Sequence, residues 1–266
     1  MKSITLIYSI LKFIKEKNDI IYKLYKNKEN MRNLIIIPTY NERLNIDKLI
    51  KSIFRQIPDI SILFVDDNSP DKTGDYIETL EKKYSNIYLL KGTKKGLGIA
   101  YKRGFAYAVK NLKPKYIIQM DADLSHNPKY LKTLIKESDK YDIVIASRYI
   151  KGGSIPKNWG HIRKLISKFG NSFTKLVLKI PYKDCTSGFK IIKVSKFNLK
   201  DIDKIKSNGY LFQVELLYYF YKKHLSIKEI PIDFQDRSKG SSKLKIKDIL
   251  EYFTKINSIK NKYREL

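Results

Sequence analysis

The chain has 266 residues, 42% of them hydrophobic, and a formal net charge of +27. This hydrophobic content excludes wholesale disorder, and the length fits one α/β domain with appendages. A single cysteine, Cys185, excludes a disulfide framework and a cysteine-built metal site, which favours a reducing cytoplasm. The positive charge indicates an anionic partner, whether nucleic acid, an anionic membrane face or phosphorylated substrates.

The first thirty residues form a basic segment in which apolar side chains recur at helical spacing, at Ile4, Ile7, Leu11 and Ile14. The apolar stretch is too short to cross a bilayer, and no small-residue cleavage site follows it. Two interpretations stay open: the segment lies in a membrane surface, or the true start is Met31, immediately before a strand. The sequence has no run of about 20 apolar residues, so we expect no transmembrane helix.

From Met31 onward, short apolar runs alternate with polar loops and helical patterns. The apolar runs predict strands at residues 34–37, 61–65, 87–90, 116–120, 142–146, 190–194 and 227–234. Helices are predicted at about 45–56, 74–83, 96–111, 159–179 and 212–223, and from residue 246 onward. This alternation is typical of an α/β fold with a doubly wound, mostly parallel sheet, which binds its ligands at the carboxyl ends of the strands.

Two carboxylates, Asp121 and Asp123, directly follow the buried strand that ends at Met120. Asp-x-Asp is also a common turn sequence, so the pair alone is a weak signal. At a strand end, however, two hard oxygen ligands with open positions suit Mg²⁺ or Mn²⁺ carrying the phosphates of a substrate.

The other strand ends supply further polar groups. Carboxylates near the first strands, Glu42 and Asp66, can accept hydrogen bonds from a base or from ribose hydroxyls. Arginines remain for a second anion, in loops at Arg148 and Arg237 and on a basic helix at Arg163. A site with a metal-held diphosphate and a separate arginine pocket suits group transfer between two phosphorylated partners.

Taken in order, these motifs closely resemble those of the polyprenol- (dolichol-) phosphate mannosyltransferases, inverting family-two glycosyltransferases of the GT-A fold. The motifs are Pro38-Thr39-Tyr40-Asn41-Glu42, Val65-Asp66-Asp67-Asn68-Ser69-Pro70-Asp71, Gly96-Leu97-Gly98-Ile99-Ala100, Asp121-Ala122-Asp123-Leu124-Ser125-His126, Ser147-Arg148-Tyr149, Thr186-Ser187-Gly188-Phe189, Gly209-Tyr210, Phe212-Gln213-Val214-Glu215 and Arg237 through Lys243. The resemblance implies a GT-A domain at residues 31–245, between the extension 1–30 and a C-terminal amphipathic helix at 246–266.

The resemblance also implies roles for individual residues. The nucleotide sugar would be bound by Pro38, Tyr40, Glu42, Asp66, Asp121, Ala122, Asp123, Arg237 and Lys243. Mg²⁺ or Mn²⁺ would be held by Asp121, Asp123 and Ser125, although some relatives have Gln in place of Ser125. The lipid phosphate would be bound by Arg148, Arg163 and Ser167. The residues that act on the reacting groups would be Asp123, Arg148 and Arg237.

The implied reaction is transfer of mannose from GDP-mannose to a polyprenyl (dolichyl) phosphate, with inversion at the anomeric carbon. A lipid phosphate is already an anion at neutral pH, so no general base is needed, and His126 is expected to be a structural hydrogen-bonding residue. No motif distinguishes guanine from uracil, and glucose transfer from UDP-glucose is the nearest alternative. A basic nucleic-acid-binding module is a further alternative, but acidic strand ends contradict it, and no nucleic acid is expected as a partner.

We expect a peripheral protein on the cytoplasmic face of a membrane, attached through residues 160–180, the C-terminal helix and the segment 1–30. In some relatives a small membrane subunit anchors the catalytic chain, and such a subunit is a further candidate partner. Two helical residues of the motif set, Gln213 and Glu215, are expected to pack the helix or to support the site from behind. Cys185 is expected to be an inert buried thiol.

Overall fold

The computed structural model describes residues 31–236 and 246–266, and in these residues a seven-stranded sheet organises the molecule. The strands lie in the order β3-β2-β1-β4-β6-β5-β7. Their bounds are β1 Asn33–Thr39, β2 Ser61–Asp66, β3 Ile87–Lys91, β4 Tyr116–Gln119, β5 Ile143–Ser147, β6 Lys190–Lys193 and β7 Ile227–Pro231. Strand β6 is antiparallel to β4 and β5, and the other pairs are parallel. The predicted α/β fold with a mixed, mostly parallel sheet is confirmed.

Helices cover both faces of the sheet. Their bounds are α1 Ile46–Gln56, α2 Thr73–Lys83, α3 Leu97–Tyr107, α4 Leu131–Ser138, α5 His161–Leu178, α6 Leu199–Lys204, α7 Gly209–Lys222 and α8 Ile246–Lys262. A π-helical turn, Ala108–Leu112, continues α3. The sequence pattern did not predict the two short helices α4 and α6. Helix α6 begins at a capping box in which Asn198 and Asp201 exchange side-chain-to-backbone hydrogen bonds, a local feature that periodicity does not register.

Two apolar cores lie on opposite faces of the sheet. One core is formed with helices α3, α7 and α8, and the other with α1, α2 and α4. Helix α7 is the most deeply embedded helix, because every residue from 211 to 220 is buried. Apolar and aromatic side chains surround most of its circumference, which is the pattern of a helix packed on all sides.

Helix α5 packs mainly with small and polar residues and leaves four of its large apolar side chains exposed. Its buried residues are Gly170, Asn171, Thr174 and Leu178. Four of its apolar side chains are between 62% and 76% exposed, namely Ile162, Leu165, Phe169 and Leu176. Within residues 31–236 and 246–266, no helix is both long enough and apolar enough to cross a membrane.

The antiparallel direction of β6 determines what meets at one edge of the sheet. The pairing of Gln119 with Lys190 continues beyond the strands, so that Gly188 lies beside Asp121. A Cβ atom built on Gly188 would lie 3.6 Å from Oδ1 of Asp121. The segment that leads into β6 therefore reaches the edge where β1, β2, β4 and β5 end.

The buried carboxylate of Glu215 fastens three parts of the chain together. Its Oε2 accepts hydrogen bonds from the backbone N–H groups of Lys206 (3.0 Å) and Ser207 (2.7 Å). Its Oε1 accepts from Nζ of Lys262 and the hydroxyl of Tyr263, both at 2.6 Å. Glu215 thus joins α7 to the end of α8 and to the loop before α7, so its role in this structure is to hold the helices in place.

Replacing Glu215 with Ala is expected to lower the free energy of unfolding by about 3 kcal/mol, because the Lys262 ammonium and two backbone N–H groups lose their acceptor. Chemical denaturation measures this change, and Glu265→Ala, at an exposed position near the same end of the chain, is the control. Burial alone would raise the pKa of Glu215, but hydrogen bonds from Lys262, Ser207 and Tyr263 outweigh burial and lower it. The stabilisation is therefore complete above the ordinary glutamate pKa and is lost as the pH falls through the lower folded value. A difference between wild type and variant that persisted unchanged at pH 2 would contradict this assignment.

Candidate active site

Two cavities open at the carboxyl edge of the sheet and meet at Asp121. The strand-end cavity, of about 560 Å³, is bordered by the ends of β1 and β4 and by the starts of α3 and α7. The α5 cavity, of about 570 Å³, is bordered by helix α5 and by the segments that follow β5 and precede β6. Both cavities are lined by Asp121, Tyr210 and Tyr252. A ligand that spans both cavities would pass Asp121.

Most of the residues predicted for nucleotide-sugar binding lie together in the strand-end cavity. Its lining includes Pro38, Tyr40, Glu42, Ala122 and Asp123. The Nζ atom of Lys94 lies 3.6 Å from the centroid of the Tyr40 ring, so a cation and an aromatic face stand side by side on one wall. The wall therefore combines stacking, acidic and cationic groups within one cavity.

Of the two adjacent aspartates at the end of β2, the structure places Asp67 on the cavity wall and Asp66 behind it. Asp66 is 2% exposed, and its carboxylate accepts hydrogen bonds from the hydroxyl of Thr39 (2.8 Å) and from the N–H (3.0 Å) and hydroxyl (2.6 Å) of Ser69. Asp67 lines the strand-end cavity and accepts a 2.6 Å hydrogen bond from Nη1 of Arg103. Burial raises the pKa of Asp67, and Arg103 opposes that rise. Asp66 was predicted to bind the nucleotide, whereas in the structure Asp67 is the aspartate that lines the cavity.

The glycine turn that opens α3 is held by Asn208, a residue that sequence reasoning missed. The Asn208 side chain accepts hydrogen bonds from the N–H groups of Gly98 (2.8 Å) and Gly209 (2.9 Å), and it donates to the carbonyl of Lys95 (2.7 Å). Gly96 has a φ of 100°, and a Cβ atom there would lie only 2.3 Å from the Asn208 amide nitrogen. The position therefore requires glycine. Asn208 is also the N-cap of α7, and Asn before a helical pattern is the signal that could have revealed it.

The predicted metal ligands divide between the two cavities. Asp123 lines the strand-end cavity, Ser125 lines the α5 cavity, and Asp121 lines both. The hydroxyl and N–H of Ser125 donate to Oδ1 of Asp123 at 2.6 and 3.1 Å, which fixes the Asp123 carboxylate. Within the described residues, no group of three or more His, Cys, Asp or Glu side chains could hold a metal. A cation whose other ligands are phosphate oxygens and water needs only one or two carboxylates from the protein. Asp121 and Asp123 therefore fit Mg²⁺ or Mn²⁺.

The imidazole of His126 holds the backbone of Asp121 in place. Leu124 adopts a left-handed backbone with φ 65°, which turns the chain back on itself. The N–H of Asp121 then donates to Nδ1 of His126 (2.9 Å), and the imidazole stacks on Phe189 with 5.1 Å between ring centroids. Burial lowers the pKa of His126, although the Asp121 and Asp123 carboxylates oppose this effect. The prediction that His126 is a structural hydrogen-bonding residue is confirmed.

The residues predicted for lipid-phosphate binding all line the α5 cavity. They are Arg148, Arg163 and Ser167. The guanidinium of Arg163 lies over the Trp159 ring, 3.8 Å from its centroid, and the hydroxyl of Ser167 lies 2.6 Å from that of Tyr149. The predicted residues Arg237 and Lys243 lie outside the described residues, as does the extension 1–30.

Arg148 is a buried cation whose charge is partly balanced by the carboxylate of Asp184. Its backbone N–H, Nε and Nη2 donate to the carboxylate of Asp184 at 2.9, 2.8 and 2.6 Å, and Nη2 also donates to the hydroxyl of Thr186 at 2.8 Å. Asp184 is fixed in turn, because Glu229 accepts its N–H at 3.0 Å. Arg148 is therefore held rigidly against the wall of the α5 cavity, with its Nη1 N–H groups pointing away from Asp184.

Solved structures of glucosyl-3-phosphoglycerate synthase share the fold of this chain. The Mycobacterium tuberculosis enzyme, in a complex with Mn²⁺, UDP and phosphoglyceric acid, superimposes with a TM-score of 0.61. The match covers 92% of this chain and 83% of that chain at 14% sequence identity, so it shows the fold alone. A complex of the same enzyme with Mn²⁺ and UDP-glucose gives a TM-score of 0.59 and covers 90% and 81%. The predicted GT-A fold is therefore confirmed.

Sequence relatives place the chain more closely. The model of glycosyl transferase family 2 matches residues 34–199. The polyprenol monophosphomannose synthase of Mycolicibacterium smegmatis is 34% identical and covers 85% of both chains. The undecaprenyl-phosphate mannosyltransferase of Micrococcus luteus is 36% identical over 80% of this chain and 88% of that protein. The dolichol-phosphate mannosyltransferase of Pyrococcus furiosus is 36% identical over 85% and 63%. The chain belongs to glycosyl transferase family 2, and the resemblance predicted from its motifs is confirmed.

Removing the partner of Arg148 is expected to be costly. Asp184→Ala should lower the free energy of unfolding by about 3 kcal/mol, because it leaves a guanidinium that is only 10% exposed without its counter-charge. The control is Asp75→Ala, since Asp75 lies 3.8 Å from Lys91 and both side chains are more than half exposed. A surface pair of that kind contributes less than about 1 kcal/mol. Equal losses in the two variants, measured by chemical denaturation, would contradict the role given to Asp184.

Proposed function

We propose that the chain transfers mannose from GDP-mannose to a polyprenyl (dolichyl) phosphate and inverts the anomeric carbon. The observation that carries the proposal is the pair of cavities that meet at Asp121, one walled by carboxylates and the other by a buried guanidinium beside apolar side chains. The relatives in Mycolicibacterium, Micrococcus and Pyrococcus, whose names specify mannose and a polyprenyl or dolichyl phosphate, support this choice of sugar and acceptor.

The strand-end cavity would bind the nucleotide part of the donor. Tyr40 offers a ring for the base, and the Asp67 and Glu42 carboxylates offer acceptors for base N–H groups or ribose hydroxyls. These contacts suit a nucleoside diphosphate without selecting its base, and UDP-glucose is therefore the competing donor to be tested.

Asp121 and Asp123 would hold Mg²⁺ or Mn²⁺ against the donor diphosphate, with Ser125 fixing the Asp123 carboxylate. When bound, such a cation neutralises the charge that develops on the departing diphosphate. The Mn²⁺ found with UDP in the structural neighbour from M. tuberculosis supports a divalent ion in kind.

The α5 cavity would bind the lipid phosphate. Arg148 and Arg163 supply cations, while Trp159, Ile162 and Phe253 supply apolar walls, which is the combination required by a phosphate attached to a hydrocarbon chain. Ile162 also belongs to the exposed apolar surface of helix α5, so the cavity opens toward a surface that a lipid tail would prefer to water.

The residues then account for a single displacement. An oxygen of the lipid phosphate attacks the anomeric carbon of the donor sugar, the bond from that carbon to the diphosphate oxygen breaks, and the electron pair leaves with the nucleoside diphosphate. The nucleophile is anionic before it reacts, so no proton must be removed. Arg148 and Arg163 would reduce the repulsion between two anionic substrates, and the rigid pairing of Arg148 with Asp184 would orient the attack.

The first test is a transfer assay with the purified chain, Mg²⁺ or Mn²⁺, a polyprenyl phosphate and either GDP-mannose or UDP-glucose. We expect a β-linked mannosyl lipid from GDP-mannose, and loss of activity with EDTA that either metal restores. Asp123→Ala is expected to lower kcat/KM by about a thousandfold, because the metal contributes several kcal/mol to the transition state. The control is Asp75→Ala, at a 70% exposed carboxylate on α2. A product that retains the donor configuration, or full activity in Asp123→Ala, would refute the proposal.

We also propose that helix α5 attaches the protein to the cytoplasmic face of a membrane, where a small membrane subunit would be an additional partner. The exposed side chains of Leu165, Phe169 and Leu176 form an apolar strip, and the exposed lysines Lys168 and Lys175 lie next to it. Apolar and basic residues side by side on one helix suit the interface of an anionic bilayer. This placement would bring the mouth of the α5 cavity to the lipid.

Binding to vesicles that contain anionic lipid tests this attachment. Replacing Leu165 and Phe169 together with Glu is expected to weaken binding at least about tenfold, because two apolar anchors become charged. Leu44→Glu is the matched control, since Leu44 is 71% exposed but lies on the loop before α1. Vesicle binding that is insensitive to the α5 substitutions, or equally sensitive to the control, would contradict the proposed surface.

A further inference from the structure

Gln213 is a buried amide that has no hydrogen-bond partner within residues 31–236 and 246–266. It lies on α7 and is 2% exposed. Neither its amide nitrogen nor its amide oxygen has a partner among the residues that the structure describes. Leaving such a group unpaired is costly, and native structures do so chiefly where a ligand or water completes the site.

The Gln213 amide lies behind Gly188, a residue that lines the α5 cavity. A Cβ atom built on Gly188 would lie 3.7 Å from Nε2 of Gln213, 3.6 Å from Oδ1 of Asp121 and 3.4 Å from Cε1 of His126. Because residue 188 has no side chain, only the glycine backbone stands between the cavity and the place where the Gln213 amide and the Asp121 carboxylate come together.

A second unpartnered amide, Gln119, has a different setting and serves for comparison. Gln119 is fully buried in β4, two residues before Asp121, and its register partner in β6 is the buried Lys190. Neither amide lines a cavity itself, but Gln213 lies next to Gly188, which lines the α5 cavity, whereas Gln119 pairs with Lys190, which lines neither cavity.

We propose that Gln213 binds a hydroxyl group of the transferred hexose. This inference rests on the proposed function, in which the donor diphosphate lies at Asp121 and Asp123 and the sugar extends from there toward the α5 cavity. An amide offers one donor and one acceptor to a hydroxyl, and it carries no charge that would compete with Asp121 for a cation. Phosphate would instead be met by the arginines of the α5 cavity.

A buried amide of this kind determines specificity. A hexose that presents a hydroxyl at the right position satisfies Gln213, whereas a sugar that lacks the hydroxyl leaves the amide unpaired in the closed site. Sites that hydrogen-bond a substrate hydroxyl discriminate strongly against substrates that lack it. Apolar pockets discriminate much less between substrates that differ only in size. Gln213 would therefore select among hexoses, while the strand-end cavity selects the nucleotide.

The experiment compares Gln213→Leu with wild type by calorimetric titration with GDP-mannose and with GDP, in Mg²⁺ and without acceptor. We expect the affinity for GDP-mannose to fall at least about tenfold and the affinity for GDP to change less than about twofold, with an unchanged or higher Tm because an unpaired amide is removed. Among GDP-mannose analogues that each lack one sugar hydroxyl, one analogue should bind wild type more weakly than GDP-mannose does. The Gln213→Leu variant should bind that analogue no more weakly than it binds GDP-mannose.

Two further variants distinguish the loss of a sugar contact from a general loss of folding. Gly188→Ala adds a methyl group that makes ordinary contacts only, so it should fold and reproduce the selective loss for GDP-mannose. Gln119→Leu makes the same chemical change at the other unpartnered amide and should leave both affinities within about twofold. Equal losses in Gln119→Leu and Gln213→Leu would overturn the inference.

The remaining outcomes separate this inference from the proposed function. If wild type transfers mannose and Gln213→Leu binds GDP-mannose as wild type does, the hydroxyl contact is refuted and the function stands. If Gln213→Leu loses GDP binding as well, Gln213 supports the diphosphate site and the inference is likewise refuted. Absence of mannose and glucose transfer by wild type would refute the proposed function itself.

Discussion

The reversed direction of β6 is the constraint on which the whole site depends. In a sheet whose other strands are parallel, the residues before β6 come to the edge where the carboxyl ends of the other strands lie. That segment carries Asp184 and Gly188. Asp184 holds Arg148 in place, and Gly188 has no side chain to fill the space beside Asp121. Were β6 parallel, this segment would start at the opposite edge of the sheet, and the two cavities would not share a wall.

The charges of the site are more balanced than the composition suggests. The chain has a formal net charge of +27, yet the strand-end cavity is lined by carboxylates and the most buried arginine of the α5 cavity is paired with Asp184. Lysines spread over the surface raise the local concentration of anionic substrates and lipids without holding them in one geometry. Orientation depends instead on the few groups that are buried and held by hydrogen bonds, such as Arg148, because their remaining donors point in fixed directions.

Much of the fold, and the edge of the sheet where the site lies, could be predicted from the sequence, because apolar runs mark strands and polar residues follow their ends. Three features could not. The direction of β6 depends on tertiary pairing, since its apolar run resembles that of a parallel strand. The choice between Asp66 and Asp67 depends on where β2 ends, because neighbouring residues of a strand point to opposite sides. The pairing of Arg148 with Asp184 joins residues that are far apart in sequence.

Helix α5 is a further case in which the sequence pattern does not determine the packing. Its periodicity correctly indicated an apolar face, but amphipathicity alone does not tell which face is buried. In the structure Gly170 and Thr174 pack inward, where small side chains permit a close approach to Tyr252, and four large apolar side chains of the helix remain exposed. A second local conflict is the unpartnered amide of Gln213, which lies behind Gly188 of the cavity that this helix borders.

Both conflicts, the exposed apolar surface of α5 and the unpartnered Gln213 amide, cost stability in the isolated chain. Sequences tolerate such conflicts mainly where a ligand resolves them. Under the proposed function, lipid covering the outside of α5 and a sugar hydroxyl bound to Gln213 would resolve one conflict each. The two conflicts would then correspond to the two substrates, which react where the cavities meet at Asp121.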